Sequence, residues 1–405
     1  PHGPASIESS IVNMAQDYTF SNNYPLIDKK GYFGERMETQ AAAARYIECK
    51  LGEVAKVVLF DDMNQVQMVP NYDEKVMEPV GLLPKLPVML MNGAEGIGTG
   101  FSSVIPSFKH NDLIASMKEV INTGKPKKIK PWNRNFTEKI SVEKTGKITF
   151  PMAFDQVGDK IFITEIPRGY DAKKIYKFLN KHIEADFIKD YIDSSVDNTI
   201  NIELLFKRGQ TPTLDEVKNT MGTVSNQTPN YTLISERGVK VLEKAEQIIE
   251  IFTLQRLEVV KRRYELLVSD ANERLNKNNE IIRFIKEKQY AQAEKKANRK
   301  AYVEYLSKKK FLYSDYLADM AIYRMTKEEV EKRTLMIKDD KKRIKDYESI
   351  LASRAKIKKK LIEELDNVSA SLDAIMKKKE DAKTKVYKKL EKVNKKLSKK
   401  KTKRK

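Results

Sequence analysis

An arginine stands directly before a tyrosine in the run AAAARYIE, Ala41 to Glu48, and that pair holds the two groups a covalent attack on a phosphodiester needs. Tyr46 is the candidate nucleophile. A phenol with its ordinary pKa of ~10 attacks slowly near neutral pH unless a neighbouring cation stabilises the phenolate and the charge developing on phosphorus. Arg45 is the candidate cation. The chain has 18 tyrosines, and most tyrosines serve packing or surface roles. Alone, therefore, the pair reads as a core-edge tyrosine beside a solvated arginine.

A second block with chemical potential is NGAEGIGTG, Asn92 to Gly100. Closely spaced glycines let backbone amides approach an anion, which suggests a phosphate loop. The details oppose it: no Lys-Ser or Lys-Thr follows, and no acidic residue closes a dinucleotide-binding unit. Ile97 would ordinarily be a core residue, but Gly96 and Gly98 on either side argue for an exposed tight turn. No carboxylate cluster, a Glu on one strand with a later DxD, stands out as a metal site, so no metal ligand is assigned. There is no ATPase motif either.

Short elements must position these residues. Ile7 to Met14 reads as a helix starting near Pro4 or Ser6. A helix is expected from about Gln40 to Phe60, because Ile47, Leu51, Val54 and Val58 recur at helical steps, with Tyr46 about 100° round from that stripe. Between Met63 and Glu236 short β-prone runs such as KITF and TINIELLF alternate with Pro, Gly and Asn. This is the pattern of a mixed α/β domain, with helices at Asn111 to Asn122 and Asp171 to Glu184. From about Lys240 the chain turns helical: Ile251, Leu254, Leu257, Val260, Tyr264, Leu267, Ala271 and Leu275 keep three- and four-residue steps. A proline-free segment from Lys327 to Leu365 follows, after a compact interval with apolar clusters at Tyr305–Leu306 and Phe311–Tyr313. The two long segments suggest an antiparallel coiled coil with a small helical cap; periodicity alone equally suits a generic coiled-coil scaffold.

Composition adds a polyanionic partner. Lys and Arg number 77 against 57 Asp and Glu, a net charge of +20, which suits nucleic acid through phosphate neutralisation and counterion release. The stretch Lys377–Lys405 holds 16 basic and 3 acidic residues, and so 13 of the 20 net charges. Nucleic-acid contacts elsewhere in the chain are then expected from placed residues and not from bulk charge. One cysteine, Cys49, excludes an internal disulfide and suits a reducing compartment. No apolar run is long enough to span a membrane, and PHGPASIESS is no signal peptide.

Six blocks in order carry a family resemblance: PHG (Pro1 to Gly3) with SIVNMAQ (Ser10 to Gln16), YPLIDKKGYFG (Tyr24 to Gly34), AAAARY, VPNYDEKVMEP (Val69 to Pro79), LPVMLMNGAEGIGTGFSSVIP (Leu86 to Pro106) and ITEIP (Ile163 to Pro167). The chain resembles the DNA breakage-reunion region of type IIA topoisomerases, strongly to about Pro167 and by pattern to about Leu365. The resemblance implies an α+β multidomain fold. Its parts are a partial winged-helix domain over 1–62, a mixed α/β tower over 63–236, and a coiled coil going out over 237–289 and returning over 327–367. A dimerising C-gate occupies 290–326. The resemblance does not reach the Lys-rich tail over 368–405, which reads as a frayed helix binding DNA non-specifically, a solubilising disordered end, or a nuclear address in a eukaryotic relative.

It also implies residue roles. Tyr46 would form a transient 5′-phosphotyrosine with Arg45 assisting, Ile97 on its Gly96–Gly98 turn would enter the minor groove, and His2 would lie near the developing charge. Lys50, Lys85, Asn22 and Asn23 are plausible contacts without a firm match. Mg²⁺ and ATP would both be bound by a Toprim/ATPase partner subunit, and this chain would pair with a second copy through the C-gate. Lacking a β-rich wrapping domain, the chain resembles in organisation the medium subunit of the phage enzymes, while its NGAEGIGTG is nearer the eukaryotic wording. Localisation is then the bacterial host cytoplasm or a eukaryotic nucleus. The competing readings are a non-catalytic coiled-coil architectural DNA-binding protein and a degenerate subunit, inactive because its missing winged-helix portion is never supplied.

Overall fold

The computed structural model describes residues 3–209, 211–235 and 238–402, without the side chains of 383 and 385–402. His2 therefore lies outside the described residues. The chain forms two compact units, Pro1–Leu254 with Glu364–Lys405, and Gln255–Glu363.

In the first unit, helix α1 (Pro4–Ala15) begins where Pro4 sits in the first turn, with its missing N–H at no cost there. Two short strands follow, β1 (Ile27–Lys30) and β2 (Glu48–Leu51), paired antiparallel with Lys30 opposite Glu48 and Asp28 opposite Lys50. Between Gln40 and Phe60 the structure departs from the expected single helix. It places a 3-10 turn at Ala44–Tyr46, then β2, then helix α2 (Glu53–Val58). Val54 and Val58 are buried but Leu51 is exposed, so half of the apparent stripe was coincidence. The cause is tertiary. β1 offers an edge for β2, and Gly52 approaches Leu26 so closely that a Cβ would lie 2.6 Å from its carbonyl oxygen, fixing the bend between strand and helix.

The expected boundary near residue 62 is not a break in packing, because buried polar side chains lock the two stretches together. Asn23 donates to the carbonyls of Met91 (3.1 Å) and Trp132 (3.2 Å) and accepts from the Arg134 N–H (2.7 Å). Arg36 donates to the carbonyls of Ile166, Pro167 and Tyr170. The 4-stranded antiparallel sheet runs Asp190–Asp193, Ile202–Leu205, Lys160–Glu165, Ala153–Val157. Helices Ala172–Glu184 and Leu214–Met221 press Ile175, Leu179, Val217 and Met221 onto Ile161, Ile163, Ile202 and Leu204. Both helices are capped, by the Asp171 carboxylate on the Lys174 N–H and by a Thr213/Glu216 capping box.

The start of the long helical part also moves. Strand Gly238–Leu242 pairs with Tyr231–Ser235 as a hairpin, and the outgoing helix is Ala245–Lys286. Gly238, at φ +102, and the alternation in YTLIS and GVKVL favour the hairpin. Within the second unit the outgoing helix and the helix Lys327–Leu351 run antiparallel: Tyr264 meets Tyr347 (ring centroids 5.7 Å), Arg274 meets Asp340 (3.1 Å) and Asn278 meets Arg333 (2.7 Å). Between them Phe284, Tyr302, Leu306, Phe311 and Leu317 form a small core. Leu254, placed on the apolar stripe by its spacing, is 48% exposed.

The return segment is not one helix ending near 367. It breaks at Ala352–Ser353 and restarts as Arg354–Thr402; serine favours helix starts over interiors. Past Glu363 this helix belongs to the first unit, where Leu365, Val368 and Leu372 are buried. Polar contacts fix its rotation: Asp366 pairs with Lys118, Ser369 donates to Asn111 Oδ1 (2.8 Å), Asp373 lies 3.2 Å from His110 Nε2, and Lys379 donates to Asp28 in β1 (2.9 Å). The segment expected to be a frayed or disordered tail thus begins as a packed strap. Leu372→Ala is expected to destabilise the chain by about 2–5 kcal/mol in urea unfolding, the cost of a cavity at a fully buried leucine. A dangling tail would give no change.

Among the described residues no helix is long and apolar enough to cross a membrane.

Candidate functional site

Tyr46 closes the 3-10 turn, its N–H bonded to the Ala43 carbonyl (2.9 Å), and two residues later the chain enters β2. The run of small alanines is held from behind, with the Ala42 N–H donating to the Tyr32 carbonyl (3.1 Å). Alanine's helix preference yields here to the Ala42–Tyr32 bond and to the pairing of the following residues with β1. The Tyr46 side chain is 70% exposed. The Arg45 guanidinium lies over its ring, 5.1 Å from the centroid, an attraction of about 0.5–1 kcal/mol at an exposed site. The phenol therefore faces solvent with a permanent cation beside it. Glu48, the nearest carboxylate along the chain, is engaged by Lys30 (3.0 Å).

Gly31 sets the position of the turn. Its φ is +101, and a Cβ there would come 3.2 Å from the Tyr46 carbonyl oxygen and 3.1 Å from the Ile47 side chain. Gly31→Ala is expected to cost about 1–3 kcal/mol of stability and to move Tyr46. Its signature is an adduct yield that falls further than the folded fraction measured on the same sample. Yields that track the folded fraction would remove Gly31 from a positioning role.

Ile97 is presented differently. Strands Ala94–Gly98 and Phe101–Ile105 pair with Ile97 opposite Ser102, and Gly100 at φ +77 makes the two-residue turn. Ile97 is thus in a strand one residue before the tip region and not in the turn itself. It is 95% exposed. A Cβ on Gly96 would meet nothing within 4 Å, and on Gly98 only the Phe101 carbonyl oxygen at 3.8 Å. The fold does not need these two glycines to be small. The base of the hairpin is pinned where Glu95 pairs with Arg168 and accepts from Gln227 (3.3 Å).

The secondary candidates separate. Asn23 is buried in the lock described above. Asn22 is turned onto the carbonyls of Asn13 and Gln16, and Lys85 pairs with Asp61. Lys50 remains exposed on β2. Two contacts escaped the sequence reading, the hold of Lys379 on β1 and the Tyr24–His110 pair, because each joins positions far apart in the chain. The buried Tyr24 hydroxyl meets His110 Nδ1 at 2.9 Å, and burial pushes the phenol up to about 12. Among the described residues no three His, Cys, Asp or Glu side chains form a group that could hold a metal ion.

The family model for the A subunits of DNA gyrase and topoisomerase IV matches residues 1–366. The chain belongs to that family. Its curated relatives include the mitochondrial DNA topoisomerase 2 of Dictyostelium discoideum, 31% identical over 296 residues, covering 70% of this chain and 23% of that protein. DNA topoisomerase 2 of Arabidopsis thaliana is 32% identical, covering 70% and 20%. The enzyme of Acanthamoeba polyphaga mimivirus is 36% identical over 185 residues, covering 45% and 15%. The chain thus spans about a quarter or less of the length of these relatives. Among solved structures, the Plasmodium falciparum topoisomerase II DNA-binding, cleavage and re-ligation domain superposes with a TM-score of 0.81 at 23% identity, over 94% of this chain and 57% of that one. The topoisomerase fold is shared through both units.

Proposed function

We propose that this family member is the DNA breakage-reunion part of an ATP-dependent type IIA topoisomerase. The observation that carries the reading is the exposed Tyr46 phenol with the Arg45 guanidinium against it, in a chain of this family. In the proposed reaction the Tyr46 Oη attacks a backbone phosphorus. The phenol gives up its proton to solvent as a P–O bond forms to tyrosine, the bond to the 3′ oxygen breaks, and that oxygen takes a proton from solvent and leaves as a 3′-hydroxyl. Arg45 stabilises the negative charge on the phosphoryl oxygens, a type of interaction worth about 10²–10³ in rate. Because the phosphodiester is exchanged for a phosphotyrosyl ester, the reverse step reseals the strand.

By the family resemblance, Mg²⁺ and ATP are bound by a Toprim/ATPase partner, and no step here runs through either. Residues 1–62 and 63–236 act as winged-helix and tower elements around the duplex. The exposed Ile97 serves as a minor-groove wedge, its unstacking cost offset by the contacts a bent duplex makes. The antiparallel helices act as a coiled coil ending in a C-gate over 290–326, where the exposed Leu312, Ile322 and Tyr323 suit contact with a second copy. Two Tyr46 sites related by that two-fold would cut both strands of one duplex, allowing relaxation or decatenation by passage of another.

The test is direct. The chain is mixed with a Toprim/ATPase subunit, Mg²⁺ and supercoiled DNA, then trapped with detergent. Metal-dependent, protein-linked linear DNA is the expected product. Salt-sensitive DNA binding with no linked product would favour an architectural role instead.

A further inference from the structure

The hairpin Tyr231–Ser235/Gly238–Leu242 carries an isoleucine that the fold does not use. Ile234 is 91% exposed, and its neighbours Val241 and Val239 are 66% and 46% exposed. This hairpin is bonded to the one bearing Ile97. The Val104 and Asn230 backbones exchange hydrogen bonds of 2.8 and 2.9 Å in an antiparallel bridge, and the Asn230 side chain donates to Ser102 Oγ (3.1 Å).

Counting from that bridge gives the faces. Bridge partners share a face, as do residues two apart on a strand. Glu95, Val104 and Asn230 are in one row; two residues on, Ile97 and Ser102 are continued by Thr232 and its partner Val241, and beyond them come Ile234 and Val239. Ile97 and Ile234 therefore project from the same face. With strands ~4.8 Å apart and a rise of ~3.3 Å per residue, they stand about 12 Å from each other.

We propose that Ile234 is a second apolar contact to the duplex that Ile97 enters, reaching the groove roughly three to four base pairs from the Ile97 step. The inference rests on the proposed function and adds a residue to it. Three features favour DNA as the occupant. The surface is continuous with the Ile97 hairpin. It mixes aliphatic side chains with the hydroxyls of Ser102 and Thr232, which suit a groove floor of apolar edges and acceptors. Its one carboxylate, Glu95, is already paired with Arg168, which leaves no uncompensated negative charge on these rows facing the phosphates. In this proposal the duplex is held at both points and bends over the sheet, where Ile97 alone would make a single contact.

The experiment uses the full chain and a duplex several helical turns long with a donor and an acceptor dye at its ends, comparing wild type, Ile97→Ala, Ile234→Ala and Ile234→Glu. Ile234→Ala is expected to bind roughly tenfold more weakly and Ile234→Glu more weakly still, both with less end-to-end energy transfer than wild type. Thermal unfolding stays unchanged because the side chain is exposed. Binding and bending by Ile234→Glu within twofold of wild type would overturn the proposal. So would a loss confined to association with the Toprim/ATPase subunit, which would make the face a protein interface. Wild-type adduct formation is scored separately: its absence sinks the reading of Tyr46, whereas a normal adduct with unaltered binding in Ile234→Glu sinks this inference alone.

Discussion

Tyr46→Phe is expected to abolish the covalent DNA adduct while DNA affinity stays within twofold of wild type. The substitution removes one oxygen from a side chain that is 70% exposed and makes no buried contact through its hydroxyl, so unfolding should move by no more than ~0.5 kcal/mol. The chemistry loses its nucleophile outright, and a drop on the order of 10⁴-fold or more in cleavage is the scale for such a loss. Arg45→Ala should act more gently, by about 10²-fold to 10³-fold, because it removes charge stabilisation but not the attacking atom. The ordering of the two variants is informative. An Arg45 variant more damaging than Tyr46→Phe would mean that another residue attacks.

The second large effect concerns pH. Glu165, in the ITEIP block, is almost fully buried and its carboxyl is pushed up to about 7, first by burial and only partly offset by Arg36 and by backbone N–H groups. A raised carboxyl pKa means the folded chain holds a proton that the unfolded chain has released. Its stability contribution is complete below the ordinary value near 4.5 and is lost as pH rises to about 7. The window corresponds to about 3 kcal/mol at order of magnitude. His110 slopes the other way: burial lowers its pKa, so its contribution is full above the ordinary 6.5 and declines as pH falls below that. Glu165→Gln should remove the first slope and leave the second. In urea melts between pH 5 and 8 the wild type should lose stability toward pH 8 relative to the variant, and parallel curves for the two proteins would contradict this account.

Features set by near neighbours were legible in the sequence: Ile97 between its glycines is exposed, and a helix does follow Asp171. Where the sequence reading failed, a distant partner decided the outcome. The alanine run and the four-residue stripe over Gln40–Phe60 fit a helix by propensity, but β1 captured Glu48–Leu51 as a strand and Gly52 allowed the bend. The hairpin after Tyr231 was hidden because its strands are short and run straight into a strongly periodic helix. The lysine-rich end looked solvated by composition, although its first turns carry Leu365, Val368 and Leu372 on one face. Several blocks that carry the family resemblance turn out to be packing locks: Asn92 exchanges hydrogen bonds with the Tyr24 backbone (2.8 and 3.0 Å), and Arg36 with its carbonyl partners fastens the ITEIP block. Motif matching finds such residues readily without separating them from those that touch a ligand.

The measurement that bears most directly on the central claim is to trap the cleavage complex formed with a Toprim/ATPase subunit, digest it with nuclease and protease, and locate the residual nucleotide by mass spectrometry. The expected result is a phosphonucleotide on the peptide containing Tyr46, with the mass carried by its phenolic oxygen. A nucleotide on any other residue, or no linked peptide when the partner is shown to be active with another breakage subunit, would contradict it.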